Sequence, residues 1–304
     1  MDPFKLLSDP LAYGFMQRGL LAALMVGVVC AVMGAFVVLK GLAFIGDAVS
    51  HAAFPGLVIA YMLGIPLYVG GSVAAVATAL AIAWVSRRSG LRFDTAVGVL
   101  FAGTFAFGVL LFSTIRGYAG DLLGYLLGNV LGISQGDLIQ LGVLGLIVLG
   151  IVALLRKELL YATFDPQGAG ASGLPVAGLE YLLLGLLGVT IVVSIQAVGI
   201  IMVVAMLVTP AATAQLLVTR FDRLVQVAVA ISAVAAVLGL YLSFYGNVAS
   251  GASIVLVETA AFGLALLVGP RTGLLSRRGQ HHHELPHSAL EMTDHPGSSL
   301  DAAG

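Results

Sequence analysis

The sequence predicts an all-α, polytopic membrane protein with about nine membrane-spanning helices. Its composition is the first reason: of 304 residues, 60% are hydrophobic and only 10% charged, against roughly 25% charged in an ordinary soluble domain. The second is that the apolar residues come in runs, and a helix needs about 20 of them to cross a bilayer. The third is that the basic residues sort asymmetrically between those runs. The runs lie at 19–39, 44–63, 67–86, 95–115, 138–155, 181–194, 197–218, 224–245 and 253–268. They are apolar on every face. Strands of a membrane β-barrel would instead alternate over about ten residues between turns. The sixth run is the shortest, and its boundary with the seventh, near Ser194-Ile195-Gln196, is the least sharply marked.

Orientation follows from the loops. With the C-terminus in the cytoplasm, cytoplasmic segments hold Lys40, Arg87, Arg88, Arg92, Arg156, Lys157, Arg220, Arg223, Arg271, Arg277 and Arg278, which is 11 of the 14 Lys and Arg. Only Lys5, Arg18 and Arg116 fall outside. That is the asymmetry the positive-inside rule demands. The loops before the sixth and after the seventh run are both basic, so an even number of crossings separates them. The N-terminus is then expected outside, with Arg18 abutting the first span.

Several function classes drop out. The formal net charge of −1 gives no footprint for nucleic acid. Cys30 is the single cysteine, so neither a disulfide framework nor a thiolate metal cluster is expected. Residues 1–18 lack a basic start followed by a cleavable apolar core, so no secretory signal peptide is expected. No Walker sequence, GxSxG or HExxH occurs. The chain reads as a transport subunit rather than an enzyme, with no cofactor bound permanently. It must draw energy from a partner or from an ion gradient.

Residues 1–278 form one membrane domain on this reading, followed by a polar tail at 279–304. The tail carries His281, His282, His283, His287 and His295 and is expected to be a solvated, disordered segment. Between the fourth and fifth runs, 122–133 is apolar but too short to span, which suits an interfacial or re-entrant helix. The cytoplasmic segment 156–180 contains a short helix signal. Asp165 suits an N-cap and Pro166 the first helical position, while Gly173 and Pro175 end it.

Ionisable groups inside spans are costly, on the order of 3 kcal/mol for a central Asp on insertion scales. Asp47 and His51 in Gly46-Asp47-Ala48-Val49-Ser50-His51 share one helical face, with Cβ atoms about 5–6 Å apart. A carboxylate oxygen and an imidazole nitrogen suit Mn²⁺, Fe²⁺ or Zn²⁺. Two ligands from one helix leave an incomplete site, and incompleteness suits an ion that must be released. The same pair also reads as a structural Asp–His contact, and spacing alone leaves both readings open. Glu258 stands alone in the last run, either completing the ion path or bonding a donor between helices.

Three stretches resemble a known family: residues 40–56 (KGLAFIGDAVSHAAFPG), 206–217 (MLVTPAATAQLL) and 249–258 (ASGASIVLVE). In this order they are similar to the permease subunits of manganese/zinc-type bacterial ABC importers, over about residues 13–271. The resemblance implies a type II importer fold in the inner membrane and a pair of permease copies. It implies two cytoplasmic ATPase subunits and a periplasmic or lipid-anchored protein that delivers the metal. It places Asp47 and His51 on the ion pathway. It makes 165–173 a coupling helix, shaped by Asp165, Pro166, Gly168 and Gly173. The FPG after His51 and the VET around Glu258 favour the manganese/iron branch. The other class of function left open is an ion-gradient secondary transporter of a polar solute. That would call for a second ion site and, often, inverted repeats, of which no sign is found.

Overall fold

In a bilayer the backbone must satisfy its own hydrogen bonds, so a chain this apolar folds into helices. The computed structural model describes residues 9–115 and 130–268. Its helices are α1 (Gly14–Leu39), α2 (Ala43–Ala52), α3 (Phe54–Leu63), α4 (Leu67–Ser89), α5 (Phe93–Ser113), α6 (Gln135–Leu154), α7 (Arg156–Phe164), α8 (Pro166–Ala171), α9 (Val176–Val198), α10 (Ile200–Leu217), α11 (Phe221–Gly246) and α12 (Ser250–Val268). Among the described residues, nine helical spans are long and apolar enough to cross a membrane, with α2 and α3 together forming one of them.

The nine spans fall where the apolar runs predict them, with three differences. The sixth is not short: α9 runs Val176–Val198 and ends at Gly199, whose φ of +84° turns the chain sharply into α10. The second is not one helix but two, broken at Ala53. Pro55 causes this, because it has no N–H to bond the carbonyl of His51 four residues back. Nor is 156–180 a loop around one short helix. Helix α7 follows α6 directly at Leu155, whose N–H bonds the Ile151 carbonyl while its own carbonyl accepts from Leu159. The predicted segment 122–133 lies mostly outside the described residues. Its end forms a 3₁₀ turn, Val130–Gly132, seated on Gly19 of α1. The tail at 279–304 lies wholly outside them.

Helices α1, α2–α3 and α9 form the buried centre. Helix α1 packs against α6, α9, α10 and α11, and α4 fits between α3 and α9. Helix α5 lies over α2, α3 and α4, while α12 closes on α10 and α11. Lipid is as apolar as leucine, so these contacts rely on close fit rather than on the hydrophobic effect, and small residues provide it. A Cβ on Gly34 would strike the Leu207 carbonyl. Gly56 and Gly70 face each other so closely that a Cβ on either would strike the other's carbonyl. The surrounding α3–α4 seam has no room to yield.

Gly56→Val is therefore expected to lower the thermal unfolding midpoint in detergent, at a cost of about 1–3 kcal/mol for overpacking. Gly263→Val, at a position with nothing within 4 Å of a Cβ, should leave the midpoint unchanged.

Candidate functional site

Asp47 and His51 lie on α2, one turn apart, with Ile45, Ala48 and Val49 holding the opposite face of the helix in the core. Ser50 is buried too, its hydroxyl spent on the Gly46 carbonyl at 2.7 Å. The pair is left on the open side, with side chains 53% and 32% exposed for Asp47 and His51. His51 Nδ1 is 3.0 Å from the Asp47 backbone carbonyl and 3.4 Å from its carboxylate oxygen Oδ1. A carbonyl can only accept, so Nδ1 carries the proton. The Nε2 lone pair is then the one available to a ligand. The imidazole is also held edge-on by Phe101 and Phe105 of α5, each with its ring centre 5.7 Å away. These two phenylalanines are part of the site, and the sequence offered one unused signal for them: a spacing of four, which puts both on one face of α5.

The break between α2 and α3 sits directly after this pair. Because Pro55 withholds its N–H, His51 also carries a backbone carbonyl outside the regular helical ladder. Interrupted helices at membrane depth occur where backbone lines a path or is buried in protein.

Glu258 is placed differently. It is fully buried in α12, and neither carboxylate oxygen has a hydrogen-bond partner. Ser232 of α11, also fully buried, has an unpartnered hydroxyl. Cys30 of α1 is 3.7 Å from the Ser194 hydroxyl of α9. Glu258 is thus sealed on a helix that packs on α10 and α11, and among the described residues it does not join Asp47 and His51 in one cluster. Among the described residues no group of three or more His, Cys, Asp or Glu side chains gathers to hold an ion. Within one chain the candidate site is the α2 pair alone.

The segment around α8 has the local geometry its residues dictate. Asp165 caps α8, accepting from the Gly168 N–H at 2.8 Å, and Pro166 takes the first turn. A Cβ on Gly168 would run into the Asp165 carboxylate, so the cap needs a glycine there. Gly173, at φ +87°, turns the chain toward Pro175 and α9. Ala169 is fully buried and anchors the short helix, while Phe164, Pro166, Gln167, Gly170 and Ala171 are exposed. On the same side of the bundle, Arg87 of α4 pairs with Glu180 of α9 at 2.6 Å, and Arg156 of α7 pairs with Asp222 of α11. At the opposite end, Asp137 completes a capping box with Ser134 and accepts from Gln196 at 2.7 Å, tying the start of α6 to the end of α9.

Nine apolar spans among the described residues, one of them a broken helix that carries a carboxylate and an imidazole, define a multi-pass membrane protein with polar side chains inside a span. The model of the ABC 3 transport family matches residues 12–269, and the chain belongs to that family. It is 46% identical over 277 residues to the manganese transport system membrane protein MntC of Halalkalibacterium halodurans, covering 90% of this chain and 95% of that one. It is 45% identical over 264 residues to the chelated iron transport system membrane protein YfeD of Yersinia pestis, covering 87% and 89%. Among solved structures, PsaBC from Streptococcus pneumoniae in complex with Fab superposes with a TM-score of 0.80 at 33% identity, covering 90% of this chain and 99% of that chain.

The cap on α8 yields a prediction independent of transport. Asp165→Ala should fray the helix, at a cost of about 1 kcal/mol. Amide hydrogen exchange at Gly168 and Ala169 should then accelerate, with no change at the Asp137 cap.

Proposed function

We propose that this chain is the membrane-spanning subunit of a bacterial ABC importer that carries a divalent transition-metal ion into the cytoplasm. Mn²⁺ is the first choice of cargo, then Fe²⁺, with Zn²⁺ behind. Relatives covering nearly the whole chain are named for manganese and for chelated iron, which supports that order. The observation that carries the proposal is the α2 pair: a carboxylate oxygen and an imidazole Nε2, both suited to these ions, on an open face inside a span. A carboxylate facing lipid there is expensive, so something must cover it. A second copy of the chain, apposed on this face, would cover it and supply two further ligands of the same kind. Asp47 and His51 are then the metal ligands, and Phe101 and Phe105 fix the ring that presents Nε2. A site assembled between copies can come apart when the copies move, which an importer needs in order to release its ion.

Energy comes, on this reading, from cytoplasmic ATPase subunits, and a periplasmic or lipid-anchored protein hands over the metal. The exposed side of α8, with Phe164 before it, is the surface for the ATPase. Residues 269–304, carrying the histidine tail, would be cytoplasmic, because the basic residues then sort inward. A reporter fused to the C-terminus should be active only if it is a cytosolic type.

Two measurements in vesicles with the partner ATPase decide the matter. Asp47→Asn keeps the shape and one oxygen acceptor but removes the charge. It should cut ATP-dependent ⁵⁴Mn uptake by about tenfold or more, as His51→Ala should, with assembly intact. Near-normal uptake in Asp47→Asn would leave the pair as a purely structural contact. Glu258→Gln asks whether α12 shares the ion path: a loss as severe as that of Asp47→Asn places it there, and spared uptake makes it a packing residue. For coupling, Gly170→Glu adds a charge to the exposed face of α8 where a Cβ meets nothing within 4 Å. It should separate ATP hydrolysis from uptake while metal binding survives. Ala169 is the wrong position for that test, because a charge on this buried anchor would unseat α8 itself.

A further inference from the structure

On the side of the bundle where α5 is absent, α6 and α11 both pack on α1 and leave a crevice between them. One part, of about 310 Å³, is lined by α1 and α6, including Leu24, Met25 and Leu146. The next, of about 520 Å³, is lined by α1, α6 and α11, including Phe36, Val152 and Val225. Val28 and Leu149 line both parts, so the crevice is continuous. These volumes fall within the range of ligand pockets. Along α1 it runs from Leu24 to Phe36, which at about 1.5 Å per residue is about 18 Å. The hydrocarbon core of a bilayer is about 30 Å thick, so the crevice has roughly the depth of one leaflet.

Its chemistry changes along its length. The deep part is almost wholly apolar, whereas the mouth holds Arg156, Asp222 and Gln226. Arg156 and Asp222 satisfy each other across the opening. Lys157 follows Arg156 in the chain, and Arg220 and Arg223 flank Phe221-Asp222; all three are exposed, and among the described residues none has an acidic partner. An apolar slot one leaflet deep, with three exposed cations next in the chain to the residues at its mouth, matches one kind of molecule in its surroundings.

We propose that the α1–α6–α11 crevice binds an anionic phospholipid of the leaflet on the α7–α8 side. One acyl chain lies against Val28 and Leu149, and the phosphate sits among Lys157, Arg220 and Arg223. Electrostatic attraction of basic residues to anionic headgroups at the membrane surface gives the selectivity, and the slot gives the residence. The lipid would bridge the α6–α7 junction to the start of α11, alongside the Arg156–Asp222 pair. The site does not depend on the identity of the transported ion.

The full-length protein, reconstituted in nanodiscs of equal phosphatidylglycerol and phosphatidylcholine and then extracted in mild detergent, is examined by native mass spectrometry. The expected result is one retained phosphatidylglycerol per chain, favoured over phosphatidylcholine by at least about fivefold. Lys157→Gln/Arg220→Gln/Arg223→Gln should bring that ratio close to one. Ala153→Trp, which adds bulk at an exposed lining position, should remove the retained lipid while the basic rim stays intact. Equal retention of the two lipids by the unaltered protein would overturn the headgroup assignment, and an unchanged preference in the triple variant would do the same. Cross-linking of two copies through Ala153→Cys would show that the crevice is a chain–chain interface and overturn the proposal as a whole.

Discussion

The fold answers to the absence of water around it. Inside a bilayer an unpaired N–H or carbonyl costs several kcal/mol, so the chain is helical wherever it crosses. What sets one span apart from another is then how its few polar groups are compensated. Most are compensated locally. Ser50, Thr104, Thr190, Thr213, Ser253 and Thr259 each return their hydroxyl to a carbonyl four residues back. Such groups can sit anywhere on a helix without demanding a partner, and they say little about function.

The exceptions are where a helix is interrupted or a charge is left over. Pro55 divides the second span just past His51, and the two halves are held by different neighbours: α2 by α5, α4, α9 and α10, and α3 by α4 and α5. Close glycine contacts between α3 and α4 fix the α3 half rigidly. The α2 half presents Asp47 and His51 on its open side, away from a buried back. The break therefore takes the His51 carbonyl out of the regular i to i+4 ladder, and it lets the half that carries Asp47 and His51 take its own direction against α5.

This division explains what was legible in the sequence and what was not. Spans were legible because length and hydropathy alone define them, and nine runs gave nine spans. Their ends were less so: α9 extends through Glu180 and Gln196, polar residues at the membrane boundary that a hydropathy reading trims away. Helix α7 was missed because Arg156, Lys157 and Glu158 look like the start of a loop, although a charged helix is at ease once it leaves the hydrocarbon. The cap at Asp165 and the turn at Gly173 were legible because each rests on a local rule. The facing of each helix was not. A run apolar on every side carries no periodicity from which an inward face can be read. So the sequence located Asp47, His51 and Glu258 along their helices but not around them, and only the packing separates an open pair from a sealed carboxylate.

That separation bears on how a membrane protein can keep charge at all. Glu258 is sealed inside the protein, with neither carboxylate oxygen given a donor. Asp47 takes the other course: it stays at an open face, within reach of His51 and of whatever covers that face. A fully enclosed carboxylate would bind a cation only by trapping it, and a fully lipid-exposed one would not be stable. A half-covered carboxylate–imidazole pair, with its imidazole oriented from behind by a carbonyl and two aromatic edges, lies between these limits. On the proposed reading, the incompleteness of the site within one chain is a condition of passage, and the open face of α2 is where a neighbouring copy would sit.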